Sequence, residues 1–274
     1  MRNLFFLLTI PFLFSSCIGT IPTPEERKDN ALSLIENKIF TQVDIKTSTF
    51  SLFSLQNNQI DCKDKNLKVY IEGDGLSWIT RNIISENPTP INASAIKLMN
   101  QDNDKCKVYL ARPCQFITSN QCDKKYWTSH RFSSEVLKSY EEALYYLKNK
   151  YENKSFTLIG YSGGGAITAL LASKTNDIKM LITVAGNLDT DKWTSLHKIT
   201  KLDGSLNPSF YVDKLENIEQ YHLIGKDDEI IPKEVFLSYL SKFSKKDKIN
   251  YRFFNTDHNC CWEEAYKIFL NDIK

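Results

Sequence analysis

The stretch FTLIGYSGGGAITALLAS, Phe156 to Ser173, constrains the fold more than any other part of the chain. It begins as a short apolar run, passes through Gly160, Ser162 and Gly164, and continues as an apolar helix-forming run. Four of the chain's ten glycines lie between positions 160 and 165. A strand that turns directly into a helix around a serine brings two backbones close together. Small residues two positions to either side of that serine permit the approach. The turn holds the hydroxyl exposed as a nucleophile. The alternatives are a flexible link or a phosphate-binding turn, but GYSGGG lacks the Lys-Ser/Thr ending of a P-loop.

The flanking sequence fits a strand–helix repeat. LKVYIEG, CKVYLAR, FTLIGYS, IKMLITVAG, IEQYHLIG and KINYRFFN read as strands, and residues 42–56 as two more. TPEERKDNALSLIENK, SSEVLKSYEEALYYLKNK, AITALLAS, PKEVFLSYLSKF and WEEAYKIFLNDI read as helices. Thr23 is placed to cap the first of these, with Pro24 in its first turn. Near-continuous apolar strands alternating with helices predict a mostly parallel sheet of about eight strands, covered on both faces. Residues 76–92 and 113–132 lack a clean period and follow strand ends, so they are expected as loops around a cleft. Trp78, Trp127 and Trp262 are candidates to line it or to pack beneath it.

A serine hydroxyl needs a base, and the base needs an acid to orient it. Of the four histidines, His258 in NTDHNCCW directly follows the final strand. His222 lies inside a strand and reads as a core residue, and His130 and His197 as loop residues. The loop LIGKDDEIIP offers Asp227, Asp228 and Glu229 as acids, and Asp189 in GNLDTD follows the preceding strand.

With these pieces in place the chain resembles the α/β-hydrolase superfamily, whose acid loop often reads G-x-x-D-x-x-V-P. Gly225, Asp228, Ile231 and Pro232 match that spacing, with Ile for Val. The resemblance implies Asp228 as the acid, with Asp189 as the alternative. It also implies the chain order Ser162, Asp228, His258. The oxyanion hole is expected from the N–H of Gly163 and a donor in the EGDG loop, Glu72 to Gly75. Asp74 is the first choice there and Gly75 the second; the Asp74 side chain is expected to point away. YIEGDG, ARPCQ, YWTSHRF, GYSGGG, GNLD, GSLNP and DHNCCW further resemble a group of bacterial exported α/β-hydrolase-like proteins. The expected activity is serine hydrolysis of an ester, thioester or amide without cofactor or metal. A catalytically inactive binding or structural lipoprotein on the same fold is the alternative, as is acyl transfer to an alcohol or amine.

The N-terminus carries a separate message. MRN precedes the uncharged run LFFLLTIPFLF and then SSC, the pattern of a secretory signal peptide. FSSC resembles a bacterial lipobox, which implies a lipid on Cys17, and Ile18 after it implies the outer membrane. The expected division is residues 1–16 as signal peptide, 17–24 as lipidated tether and 25–274 as one α/β-hydrolase domain. Export permits disulfides. Cys114–Cys122 is expected, then Cys62–Cys106, with Cys260 and Cys261 vicinal or free. The formal net charge of +2 points to no nucleic-acid partner. The expected partners are a small-molecule or lipid acyl substrate and, through the anchor, a membrane.

Overall fold

The computed structural model describes residues 21–35 and 39–273. The expected signal peptide, Cys17 and the first half of the tether lie outside the described residues.

Apolar side chains alternate along the central strands and so serve both faces of one sheet. In the strand Ser155–Tyr161, Phe156 and Leu158 enter one core, while Ile159 and Tyr161 enter the other. The same split occurs in Asn66–Ile71, where Leu67, Val69 and Ile71 oppose Tyr70. In chain order the strands are β1 (Phe40–Lys46), β2 (Ser51–Asn57), β3 (Asn66–Ile71), β4 (Trp78–Thr80), β5 (Ile83–Ile84), β6 (Lys107–Leu110), β7 (Ser155–Tyr161), β8 (Ile178–Val184), β9 (Glu219–Gly225) and β10 (Ile249–Phe254). Eight of them form one sheet in the order β1-β2-β6-β3-β7-β8-β9-β10. The β1–β2 and β2–β6 pairings are antiparallel, and every other pairing in that sheet is parallel. The mostly parallel eight-stranded sheet is therefore as the sequence predicts.

The helices are α1 (Pro24–Ser33), α2 (Ser94–Gln101), α3 (Ser134–Tyr151), α4 (Gly163–Ala172), α5 (Thr190–His197), α6 (Lys233–Ser241) and α7 (Trp262–Asp272). Residues of α3, α4 and α6 pack into one core and residues of α1, α2 and α7 into the other. Thr23 closes a capping box with Glu26 at the start of α1.

Two helices and a hairpin depart from the sequence expectation. α2 has Ala93 at its N-cap and no side-chain cap, although Asn92 and Ser94 flank it. α5 is capped by Asp189, whose carboxylate accepts from the Lys192 N–H at 3.1 Å. Its Oδ1 also accepts from Asn207 Nδ2, and its Oδ2 from the Ser238 hydroxyl. Asp189 is thus fully engaged in fixing α5 and α6. Part of the expected loop 76–92 is the two-stranded sheet β4–β5.

All six cysteines from Cys62 onward are paired, as Cys62–Cys106, Cys114–Cys122 and the vicinal Cys260–Cys261. The first ties the approach to β3 to the approach to β6, and the second closes a short loop after β6.

Candidate active site

The turn between β7 and α4 is as tight as the glycines suggest. Ser162 sits at φ 53° and ψ −117°, a conformation that costs a non-glycine residue about 1–3 kcal/mol and persists only when its surroundings enforce it. They do. A Cβ at Gly160 would stand 2.3 Å from the Gly164 carbonyl oxygen, and one at Gly164 would stand 2.3 Å from the Ile71 oxygen. The Ser162 N–H donates to the Val184 oxygen at 2.9 Å, and the Ser162 carbonyl accepts from Asn187 N–H at 3.1 Å. The turn is thereby held to β3, to β8 and to the chain that leaves β8.

Ser162, His258 and Asp228 converge from three chain segments. His258 Nε2 lies 3.1 Å from Ser162 Oγ, and His258 Nδ1 lies 2.8 Å from Asp228 Oδ2. The other Asp228 oxygen accepts the Ile230 and Ile231 N–H groups at 2.9 and 2.7 Å. This fixes the carboxylate's orientation. The acid and histidine loops are joined by Lys226 N–H to Phe254 O and Asp227 N–H to Thr256 O. Gly225 allows that contact, because a Cβ there would come within 2.7 Å of the Thr256 oxygen.

The histidine loop has its own supports. The His258 carbonyl accepts from the Tyr161 hydroxyl and from the Trp262 indole N–H. Tyr161 also faces the imidazole, with ring centroids 5.3 Å apart. Burial pushes the Tyr161 hydroxyl up, so it stays protonated and remains a donor. The residue before the serine thus holds the histidine loop, a connection with no signal in sequence spacing.

The EGDG loop lies against the start of α4. Gly163 is the first residue of α4, so its N–H has no acceptor within the helix. The Asp74 side chain does not turn clear of this corner, as the sequence suggests it would. Its carboxylate lies on Gly163, and two guanidiniums grip it, Arg112 at 2.8 Å and Arg131 at 2.7 Å. Burial would raise the Asp74 carboxyl, but Arg131 and Arg112 outweigh it and hold it below its ordinary range. The physical reason for the departure is charge. Arg112 and Arg131 each pair with one Asp74 oxygen and so offset the carboxylate's charge beside Gly163.

Further bonds brace the loop from behind. Gln115 Nε2 donates to the Gly73 oxygen at 2.9 Å, and its Oε1 accepts the Arg112 N–H at 3.0 Å. Arg112 also donates to the Arg131 carbonyl. ARPCQ and YWTSHRF, which stand far from the EGDG loop in sequence, therefore serve it in space. Glu72 is buried and accepts from Gly73 N–H, Ala95 N–H and the Tyr109 hydroxyl. Burial pushes its carboxyl up to about 7 against the pull of those donors and of Arg112. Gly75 takes φ +65°, and a Cβ there would strike the Pro88 oxygen.

Ser162 and His258 open onto a cleft of about 1350 Å³. Its walls include Trp78, Ile84, Ile91, Trp193, Ile199 and Ile230. Of the three tryptophans singled out from the sequence, only Trp78 lines the cleft. Trp127 and Trp262 are buried, with their indole N–H groups given to Ser85 and His258 carbonyls. Sequence reasoning misses Trp193 because it lies on α5, whose start reads as a catalytic-acid loop; it sits under the Arg131 guanidinium at 5.6 Å. His197 reaches the cleft wall and pairs with the Ile230 carbonyl. His130 stays in its loop beside Ser129, and His222 is buried between Thr183 and Gln220. Burial lowers His222 to about 3, so it is neutral and structural.

The sheet order, the covering helices and the strand–serine–helix turn define an α/β-hydrolase. The chain belongs to the serine hydrolase family FSH1, whose model matches residues 81–260. The fold is similar to solved structures at low sequence identity. An esterase of Pyrococcus furiosus, Pf2001, aligns at 12% identity over 92% of this chain and 92% of its own, with a TM-score of 0.60. Est1E of Butyrivibrio proteoclasticus aligns at 15% over 84% and 98%, with a TM-score of 0.58. An alpha-beta serine hydrolase homologue of Coxiella burnetii aligns at 13% over 85% and 94%, also at 0.58. No curated protein sequence matches the chain.

Proposed function

We propose that this serine hydrolase cleaves an ester, thioester or amide through an acyl-enzyme on Ser162. The observation that carries the reading is the placement of His258 between Ser162 Oγ at 3.1 Å and Asp228 Oδ2 at 2.8 Å. His258 Nε2 takes the serine proton as Oγ attacks the carbonyl carbon. Asp228 keeps Nδ1 protonated and stabilises the imidazolium that forms. The carbonyl oxygen becomes an oxyanion against the Gly163 and Asp74 N–H groups, beside the Asp74 carboxylate whose charge Arg112 and Arg131 offset. Losing one such donor typically costs about 10²–10³ in rate. His258 then gives its proton to the leaving group, the C–O, C–S or C–N bond breaks, and the acyl group stays on Oγ. Water, deprotonated by His258, attacks this ester and releases the acid. None of these steps calls for a cofactor or metal.

We further propose that residues 1–16 are removed, that Cys17 carries the lipid, and that residues 17–24 tether a domain spanning 25–274. This would place the enzyme in the bacterial cell envelope, at the outer membrane. The support is the basic start, apolar run and FSSC sequence. Fatty-acid labelling that persists in Cys17→Ser would contradict it.

The catalytic reading is tested by turnover of p-nitrophenyl esters, thioesters and aminoacyl amides. Wild type is expected to hydrolyse at least one class, and Ser162→Ala and His258→Ala to lose that activity by about 10⁴-fold or more. Activity retained by Ser162→Ala would overturn it.

A further inference from the structure

The hairpin β4–β5 stands apart from the main sheet. Strands this short gain little stability from their own pairing. It is supported at its base, where Ser85 N–H donates to the Ser77 carbonyl and buried Trp127 donates to the Ser85 carbonyl, both at 3.0 Å. Beyond that base, Trp78, Ile79 and Ile83 are 41%, 40% and 56% exposed. Ile79 and Ile83 do not line the cleft, so a molecule inside it leaves their exposure unexplained. The end of α5 and the loop after it add Leu196 and Ile199 at 39% and 40% exposure. Single exposed apolar residues are ordinary, but five on two segments at one cleft mouth are not.

The same two segments carry unpaired cations. Arg81 in the hairpin turn, and Lys198 and Lys201 after α5, line the cleft and have no ion-pair partner among the described residues. No carboxylate occurs between Trp78 and Ser85 or between Lys192 and Lys201. The nearest ones along the chain are Asp191 in the first turn of α5, Glu86, which is paired with Lys124, and the exposed Asp203.

Aliphatic and indole groups interleaved with cations suit the boundary between headgroups and acyl chains of an anionic bilayer. A purely apolar partner would strip water from the cations and give them nothing in return. A small soluble anion would leave Ile79 and Ile83 uncovered. We propose that the cleft mouth docks on an anionic lipid surface and draws its acyl substrate from it. The substrate half of this statement rests on the Ser162 reading, and the docking half does not.

The test uses the full chain, whose N-terminal segment is common to every variant, with vesicles of phosphatidylcholine alone or containing roughly one-third phosphatidylglycerol. Docking is read as quenching by acyl-brominated phosphatidylcholine, taken as the difference between wild type and Trp78→Phe. Quenching of Trp78 is expected with phosphatidylglycerol and is expected to fade without it and at high salt. Ile79→Ser/Ile83→Ser and Arg81→Gln/Lys198→Gln/Lys201→Gln are expected to cut hydrolysis of a vesicle-embedded long-chain ester by about tenfold or more. Ile79→Ser/Ile83→Ser, whose residues lie outside the cleft lining, should leave hydrolysis of a soluble short-chain p-nitrophenyl ester unchanged, and the cation variant should lose the Trp78 quenching that phosphatidylglycerol brings. Equal quenching with and without phosphatidylglycerol, or an unchanged ratio of the two activities, overturns the proposal. So does self-association of wild type that Ile79→Ser/Ile83→Ser abolishes, since the patch would then be an interface between copies. Failure to cleave either ester would contradict the Ser162 reading, while Trp78 quenching would still decide the docking.

Discussion

The Asp74 carboxylate occupies the space that any side chain at Gly163 would need: a Cβ there would stand 2.2 Å from Asp74 Oδ1. The carboxylate cannot easily yield, because Arg112 and Arg131 hold both of its oxygens. Glycine at 163 is therefore required by the neighbouring loop. Gly163→Ala is expected to push the EGDG loop off α4. The strain should cost about 1–3 kcal/mol of stability. Displacing the N–H groups proposed to hold the oxyanion should lower kcat by about 10²-fold or more. Kinetics and urea melts check this; near-wild-type kcat would contradict it.

Tyr161→Phe removes one of the two donors to the His258 carbonyl and keeps the ring that faces the imidazole. Trp262 still holds the loop, so the fold should survive. With His258 less well placed against Ser162, kcat should fall by roughly tenfold while KM changes little. A change confined to KM would show that the hydroxyl serves the cleft wall and not the histidine.

Much of this arrangement is legible in the order of residues along the chain. Ser162, Asp228 and His258 each follow a segment that reads as a strand, and the glycines at 160 and 164 mark a close approach of backbones. The disulfides Cys62–Cys106 and Cys114–Cys122 are legible because the first joins the approaches to two strands and the second closes a short loop. Other features carry no local signature. α2 begins on Ala93 without a polar cap. α5 begins on an aspartate that reads equally well as a catalytic acid. The grip of Arg112, Gln115 and Arg131 on residues 72–75 joins segments that meet only when the sheet forms. The role of Tyr161 depends on a contact across 97 positions.

Glu72 links stability to pH. Burial pushes its carboxyl from an ordinary 4.5 up to about 7 in the folded chain. Between those values the folded state holds a proton that the unfolded state has lost. Its contribution is therefore full below about 4.5 and declines as pH rises toward 7, by roughly 3 kcal/mol in all. Glu72→Gln keeps the shape and an acceptor for the Gly73 and Ala95 N–H groups without that charge. Stability measured at pH 5 and pH 8 should fall less across the interval in Glu72→Gln than in wild type. Equal slopes would contradict the shift.

The Cys62–Cys106 disulfide spans a sequence separation of 44 between the approaches to β3 and β6. On loop-closure entropy alone it stabilises the fold by about 4 kcal/mol. Cys62→Ala/Cys106→Ala should lose most of that in denaturant melts while leaving kcat near wild type, because neither cysteine borders the cleft. A large loss of kcat in the still-folded variant would show that the bridge reaches the site.

The central claim is that Ser162 is the nucleophile that His258 activates. It is tested most directly by intact-mass and peptide-mass analysis after treatment with a fluorophosphonate. The account predicts one adduct per chain, carried on the peptide containing Ser162. It also predicts labelling slowed by about 10³-fold or more in His258→Ala and none in Ser162→Ala. An adduct on another residue, or equal labelling of Ser162→Ala, would contradict it.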